Sequence, residues 1–166
     1  MDQNGIRLGP VTDDLRPAVL ALAPRPEQAA FSGIAAQTLP DAERTPGRHP
    51  VAILERGLPV GFLILDRGGG APARTGDLLL RAFFVDATCQ GRGIGSAALR
   101  VLPAYARDHD PDAARIVLTV NIVNPSAQAV YERAGFADTG ELYHGGQLGP
   151  QRVLALALVD QPSASL

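Results

Sequence analysis

Apolar and polar positions along this chain repeat in two periods, and the changes from one to the other mark its elements. The run IRLGPV from Ile6 predicts a short strand, and Thr12 with Asp13 and Asp14 supplies the cap and acidic first turn of a helix reaching Ala23. Residues 24–50 mix PRPEQ, the helical string EQAAFSGIAAQTL and the turn-rich ERTPGRHP, which predicts helix plus loop. VAILER (51–56) and VGFLILD (60–66) are apolar, β-branched runs joined by GLP, the pattern of a hairpin. RGGGAPARTG (67–76) reads as a flexible surface loop, because no helix follows its glycines to add a dipole.

LLLRAFFV (78–85) predicts a buried strand, and Ile94, Ala98, Leu102 and Tyr105 then fall on one face of a helix running to Asp108, which Pro103 is expected to kink. RIVLTV (115–120) is a strand, NPSAQAVYERAGF a helix with its stop, and QRVLALALV (151–159) a last strand. A strand, a long helix and a second strand imply a right-handed parallel crossover, so the expected fold is α/β with a mixed sheet. One domain over residues 1–160 is expected, followed by a disordered tail at 161–166.

Composition narrows the function. A chain of 166 residues that is 46% hydrophobic can bury one core, and it contains no apolar run near the length of a membrane span. The start MDQNGIRLGP does not read as a signal peptide, so a cytoplasmic location is expected. The single cysteine, Cys89, cannot form an internal disulfide and reads as a free thiol, and no metal site is expected. A net charge of -2 gives no basic footprint for nucleic acid. All 15 basic residues are arginine, and the sequence does not decide between a monomer and a homodimer.

The chemistry concentrates in QGRGIGSAAL, residues 90–99. A glycine-rich turn between a strand and a helix leaves backbone N–H groups pointing outward, and the helix dipole adds positive potential there, which suits a phosphate. Gly93 and Gly95 are expected to supply positive φ and close approach. Gly93 to Ala98 also fits the dinucleotide fingerprint G-x-G-x-x-A, but Val85 lies eight positions before Gly93 and no acid stands at Asn121 for a ribose. With no lysine in the chain, a G-x-x-x-x-G-K phosphate loop is excluded.

Gln90, Gly91, Arg92, Gly93, Ile94 and Gly95 form Q-x-x-G-x-G, and Asn124, Ala127, Tyr131, Gly135 and Phe136 form N-x-x-A-x-x-x-Y-x-x-x-G-F. Together, in this order and spacing, the two motifs resemble the GNAT superfamily of acetyl-coenzyme A dependent N-acetyltransferases over residues 51–158. The resemblance implies a central sheet, mostly antiparallel, with one splayed parallel pair and flanking helices. It also implies that Gln90 to Gly95 bind the pyrophosphate of acetyl-coenzyme A and that the pantetheine arm runs beside Phe83 and Val85, with a polar contact from Asn124. Tyr131 is then the general acid for the leaving thiolate, and backbone N–H near Val85 polarises the thioester carbonyl. From the residues themselves, Asn124 and Pro125 read as a helix cap and first position, with Tyr131 about two turns on along the same face.

No base is assigned: the strand 78–85 has no carboxylate, and Asp77 and Asp86 read as solvated strand ends. Arg81 and His144 are candidates by position alone. Residues 27–43 resemble the acceptor side of the polyamine acetyltransferase branch, although Ala35 stands where that branch tends to have asparagine. A small-molecule amine acceptor is therefore expected, with Glu27, Asp41, Glu43 and Glu55 as candidate acids for a polycation. The rivals are a noncatalytic coenzyme A binding module, a nucleotide-dependent oxidoreductase, and an acetyltransferase acting on a peptide, amino acid or antibiotic amine.

Overall fold

The computed structural model describes residues 5–158, so the tail at 161–166 lies outside the described residues. Seven strands occur in it: β1 (Ile6–Pro10), β2 (Arg48–Glu55), β3 (Leu58–Asp66), β4 (Asp77–Val85), β5 (Arg115–Asn121), β6 (Ala137–Tyr143) and β7 (Gln151–Ala157). They form one sheet in the order β1-β2-β3-β4-β5-β7-β6. The β1–β2, β2–β3, β5–β7 and β6–β7 pairs are antiparallel, and β4 runs parallel to β5. This is the expected mixed sheet, flanked by helices α1 (Arg16–Leu20), α2 (Ala29–Ser32), α3 (Ala35–Arg44), α4 (Ile94–His109) and α5 (Pro125–Arg133).

The chain divides into two compact units. One comprises the chain up to Gly68 together with Leu80–Leu102, and the other comprises Gly69–Leu79 and the chain from Pro103 onward. In the first unit, β2 and β3 are so apolar that both faces are buried, as the near-continuous strings VAIL and GFLIL require. Ala52, Leu54, Phe62 and Ile64 from one face pack with Val19 of α1 and Leu39 and Ala42 of α3. In the second unit, Leu79, Val117 and Val153 form one buried cluster, with Ala73, Tyr143 and Ala155 against them.

Three expectations about elements are corrected. The first helix begins at Arg16, not at Asp13, because Pro17 occupies its first turn, where a missing N–H is tolerated; residues 12–15 form a turn in which Leu15 and Arg16 N–H both donate to the Thr12 carbonyl. The helical string at 27–39 is broken: Gly33 at φ +74° caps α2, and a new helix starts at Ala35 and extends to Arg44. Strand β6 was not expected, because every one of its residues is exposed or half-buried and its sequence ADTGELY has no apolar alternation to read.

Candidate active site

Strand β4 reaches its end by an interruption. Ala82 sits at φ +55° in mid-strand, a left-handed conformation that L residues adopt rarely. Gly61 of β3 lets the strand past that point approach closely, since a Cβ there would stand 2.7 Å from the Phe84 carbonyl oxygen and 2.8 Å from Ile53 Cδ1. The Val85–Asp86 peptide is then held from both sides. Its N–H donates to the Val60 carbonyl at 2.8 Å, and its C=O accepts from Gln90 Nε2 at 3.0 Å.

Asp86 opens the connection to α4. Its carboxylate accepts the Ala23 N–H at 3.0 Å, the Thr88 N–H at 3.1 Å and the Thr88 hydroxyl. Burial alone would raise its pKa, but these hydrogen bonds outweigh it and hold the carboxyl below the usual aspartate range. The turn follows with Gly91 at φ +79° and Gly93 at φ +78°, and a Cβ at either would meet nothing within 4 Å. These glycines are therefore demanded by backbone conformation, and the space over them is open. The first α-helical bond runs from Ala97 N–H to the Gly93 carbonyl at 3.0 Å, so the N–H groups of Ile94, Gly95 and Ser96 lie in the helix's opening turn with no intrahelical carbonyl to receive them. Gly95 is corrected here: it does not have positive φ but is the second residue of α4, where a Cβ would make ordinary contacts with Val85 at 3.6 Å and Phe83 at 3.9 Å.

The side chains of the motif are engaged with the protein. Gln90 bridges the Val85 carbonyl and Gln28, Arg92 Nη2 donates to Glu55 at 2.6 Å, and Ile94 is buried. What the turn offers to a ligand is thus chiefly backbone N–H. N–H donors at the start of a 16-residue helix, with open space over the glycines that precede it, fit a pyrophosphate.

The second unit carries the other motif. Asn121 ends β5 buried, donating from Nδ2 to the Leu148 carbonyl at 2.8 Å and accepting the Val123 N–H at 3.0 Å. Asn124 is the N-cap of α5 with Pro125 in the first turn, and its Oδ1 accepts the Ala127 N–H at 3.3 Å, as its sequence implied. At the other end, the N–H of Gly135, at φ +104°, donates to the Glu132 carbonyl, and the N–H of Phe136 donates to the Tyr131 carbonyl at 3.1 Å. This is a Schellman closure, and it explains the G-F pair physically. Gly135 takes the left-handed position, and the buried Phe136 folds back to meet the Tyr131 ring edge-on, with centroids 5.9 Å apart. Burial pushes the Tyr131 phenol up to about 12, so it stays protonated at neutral pH.

The candidate bases and acceptor acids are less open than the sequence implied. Asp77 is buried, receives two hydrogen bonds from Arg115 at 2.9 and 3.1 Å and a third from the Arg74 N–H. Neither it nor Asp86 is a solvated strand end. Arg81 donates to the buried Asp66 at 2.7 Å. Glu43 is paired with Arg16, whose hydrogen bonds lower its pKa, Asp41 is paired with Arg44, and Glu55 with Arg92. Glu27 is exposed, and among the described residues no arginine pairs with it. Among the described residues no three His, Cys, Asp or Glu side chains gather as metal ligands, and no helix is long and apolar enough to cross a membrane.

The glycine turn at a helix start in the first unit and, in the second, the capped helix that carries a protonated tyrosine are the features that the resemblance to an acyltransferase class implied. The family described as Acetyltransferase (GNAT) family matches residues 13–136, and the chain belongs to it. It is 34% identical over 128 residues to an uncharacterized N-acetyltransferase, YbbJ, of Bacillus subtilis (strain 168), covering 75% of this chain and 79% of that one. It is 31% identical over 144 residues to the spermine/spermidine N(1)-acetyltransferase of the same organism, covering 86% and 94%. In fold it resembles an aminoglycoside acetyltransferase solved with coenzyme A, at TM-score 0.73 and 20% identity over 92% of this chain and 94% of that one. It also resembles the spermidine N-acetyltransferase of Vibrio cholerae solved with CoA and spermine, at TM-score 0.70 and 12% identity over 93% and 96%. The protein is an N-acetyltransferase enzyme.

Proposed function

We propose that the chain acts as a single cytoplasmic catalytic domain that moves the acetyl group of acetyl-coenzyme A to the primary amine of a small molecule, a polyamine first among them. The observation that carries the cosubstrate is the turn at 91–96, where two left-handed glycines have open space over them beside helix-start N–H groups that have no intrahelical acceptor. Those groups hold the pyrophosphate. The pantetheine arm lies along Phe83 and Val85, and Asn124, whose Oδ1 caps α5, offers it the Nδ2 donor.

The amine nitrogen attacks the thioester carbon, the C–S bond breaks, and Tyr131 gives its phenolic proton to the departing thiolate. Because the phenol is held at about 12, it donates only as negative charge develops on sulfur, and it regains its proton from solvent. Asp77 and Asp86 are both tied into hydrogen bonds, so neither takes the amine proton, and that proton leaves through water.

The similarity to a spermine/spermidine acetyltransferase over 86% of the chain supports a polyamine acceptor. Of the four candidate acids, Glu27 suits a cation best, since Asp41, Glu43 and Glu55 already face arginines. The test is thiol release from acetyl-coenzyme A across a panel of spermidine, spermine, simple diamines, an aminoglycoside, an amino acid and an N-terminal peptide. Turnover with the polyamines is expected. Turnover confined to the aminoglycoside, amino acid or peptide would replace the acceptor, and none with any amine despite tight acetyl-coenzyme A binding would make the protein a binding module.

A further inference from the structure

The Gln90 side chain does more than lie beside the glycine turn. Its Nε2 carries two hydrogens, and both are engaged: one meets the Val85 carbonyl at 3.0 Å, and the other meets Gln28 Oε1 at 2.7 Å. Gln28 belongs to a short 3-10 turn, Pro26–Gln28, that leads into α2. Its Oε1 also accepts the Arg25 N–H at 3.2 Å, so this oxygen closes its own turn while receiving Gln90. Two further bonds tie the same stretch to the strand end, from Ala23 N–H to Asp86 and from Ala87 N–H to the Ala23 carbonyl at 2.8 Å.

We infer that Gln28 is a positioning residue that transmits occupancy of the glycine turn to the acceptor segment at 23–33. The inference rests on the proposed reading, in which the turn holds the pyrophosphate and residues 27–43 form the acceptor side. The physical sequence is short. Gln90 directly precedes Gly91, so an anion that fixes the turn's N–H groups also fixes the Gln90 backbone. A fixed Gln90 holds its amide plane against the Val85 carbonyl, and the remaining hydrogen then holds Gln28. The acceptor segment is thereby set in place relative to the strand end along which the thioester lies. Asp86 makes the first attachment whether or not the turn is loaded, because its partners are Ala23 and Thr88 and not the turn itself. The Gln90–Gln28 bond runs from the residue beside the turn to the segment, so it is the one that carries the coupling.

Hydrogen exchange of the full chain with and without acetyl-coenzyme A tests this, comparing the parent with Gln28→Leu and Gln28→Glu. Leucine matches the size and removes the acceptor; glutamate keeps an oxygen for both Gln90 Nε2 and the Arg25 N–H. In the parent and in Gln28→Glu, acetyl-coenzyme A is expected to slow exchange at 91–97 and at 24–33, the latter by about fivefold, the worth of one net hydrogen bond. In Gln28→Leu the slowing at 91–97 should persist and that at 24–33 should vanish. A residue with a merely structural role would raise exchange at 24–33 equally with and without the ligand. If the parent shows slowing at 91–97 alone, or if Gln28→Leu keeps the slowing at 24–33, the relay is wrong while the cofactor site stands. If 91–97 does not respond in the parent, the cofactor reading itself is overturned, and the inference falls with it.

Discussion

The two strand-to-helix connections of this protein solve one problem in opposite ways. After β4 the chain takes eight residues, Asp86 to Gly93, and passes through two glycines in the left-handed region before the long helix α4 begins. After β5 it takes three, Ile122 to Asn124, with no positive φ. In the short connection, asparagine side chains satisfy the backbone: Asn121 receives the Val123 N–H and Asn124 the Ala127 N–H. In the long one, Asp86 and Gln90 fasten the approach, and the N–H groups of Ile94, Gly95 and Ser96 lie in the helix's opening turn with no intrahelical carbonyl to accept them. A turn that caps itself can only hold a helix in place; one that leaves its helix start uncapped can hold an anion. On the proposed reading, the first connection binds and the second sets α5, which carries the tyrosine two turns along.

The sharpest way to separate these roles is to remove chemistry from the second connection without touching the first. Tyr131→Phe keeps the ring that meets Phe136 at 5.9 Å and deletes only the hydroxyl. Acetyl-coenzyme A affinity should stay within about twofold, and kcat should fall by roughly 10² to 10⁴, the usual worth of a positioned acid. Steady-state kinetics with calorimetry checks both. A kcat near the parent's would assign the thiolate's proton to water.

A smaller effect divides the glycines of the first connection from one another. Gly93 at φ +78° tolerates no β-branched residue, so Gly93→Val should weaken acetyl-coenzyme A binding by about tenfold or more, from strain of roughly 1–2 kcal/mol and from the branched side chain over the donors. Gly95 lies inside α4 with ordinary space for a Cβ, so Gly95→Ala should leave affinity within about threefold and raise the helix's stability slightly. Titration calorimetry on both variants reads the split. Equal losses at the two positions would mean that steric access, not backbone conformation, governs the site.

That split also marks how far the sequence could be read. The string at 90–99 revealed a glycine turn leading into a helix, and Asn124-Pro125 revealed a helix cap, because glycine and asparagine in those settings have few other uses. Which glycine took positive φ was not legible, since it depends on where the helix starts, and Gly93, not Gly95, proved to be the residue before α4. The closure of Asp77 and Asp86 was hidden for a different reason. Their partners, Arg115, Arg74, Ala23 and Thr88, include residues as far as 63 positions away, and sequence patterns do not report such tertiary hydrogen bonds. β6 left no signal because a strand exposed along its length needs no apolar period.

The smallest expected effect tests the fastenings of the two connections through their charge. Asp86 is ionised and Asn124 is neutral, so only the first should depend on pH. With its folded pKa held below the ordinary value of 3.8, Asp86 contributes stability that is present above that value and is lost as pH falls through the folded one. Asp86→Asn removes one acceptor oxygen and presents an amide N–H₂ to either Ala23 or Thr88, which at pH 7 should lower the Tm by about 2–4 °C. A protonated Asp86 has the same inventory as asparagine, one acceptor and one donor group, so the Tm curves of parent and variant should converge as pH falls below 3.8. Asn124→Ala loses the Ala127 cap bond, at a cost of about 1 kcal/mol that should be the same at both ends of the pH range. Thermal melts of the three proteins from pH 7 to pH 3 compare them directly. A constant gap for Asp86→Asn would show that its carboxylate is no better bonded folded than unfolded, and that the two connections are fastened alike.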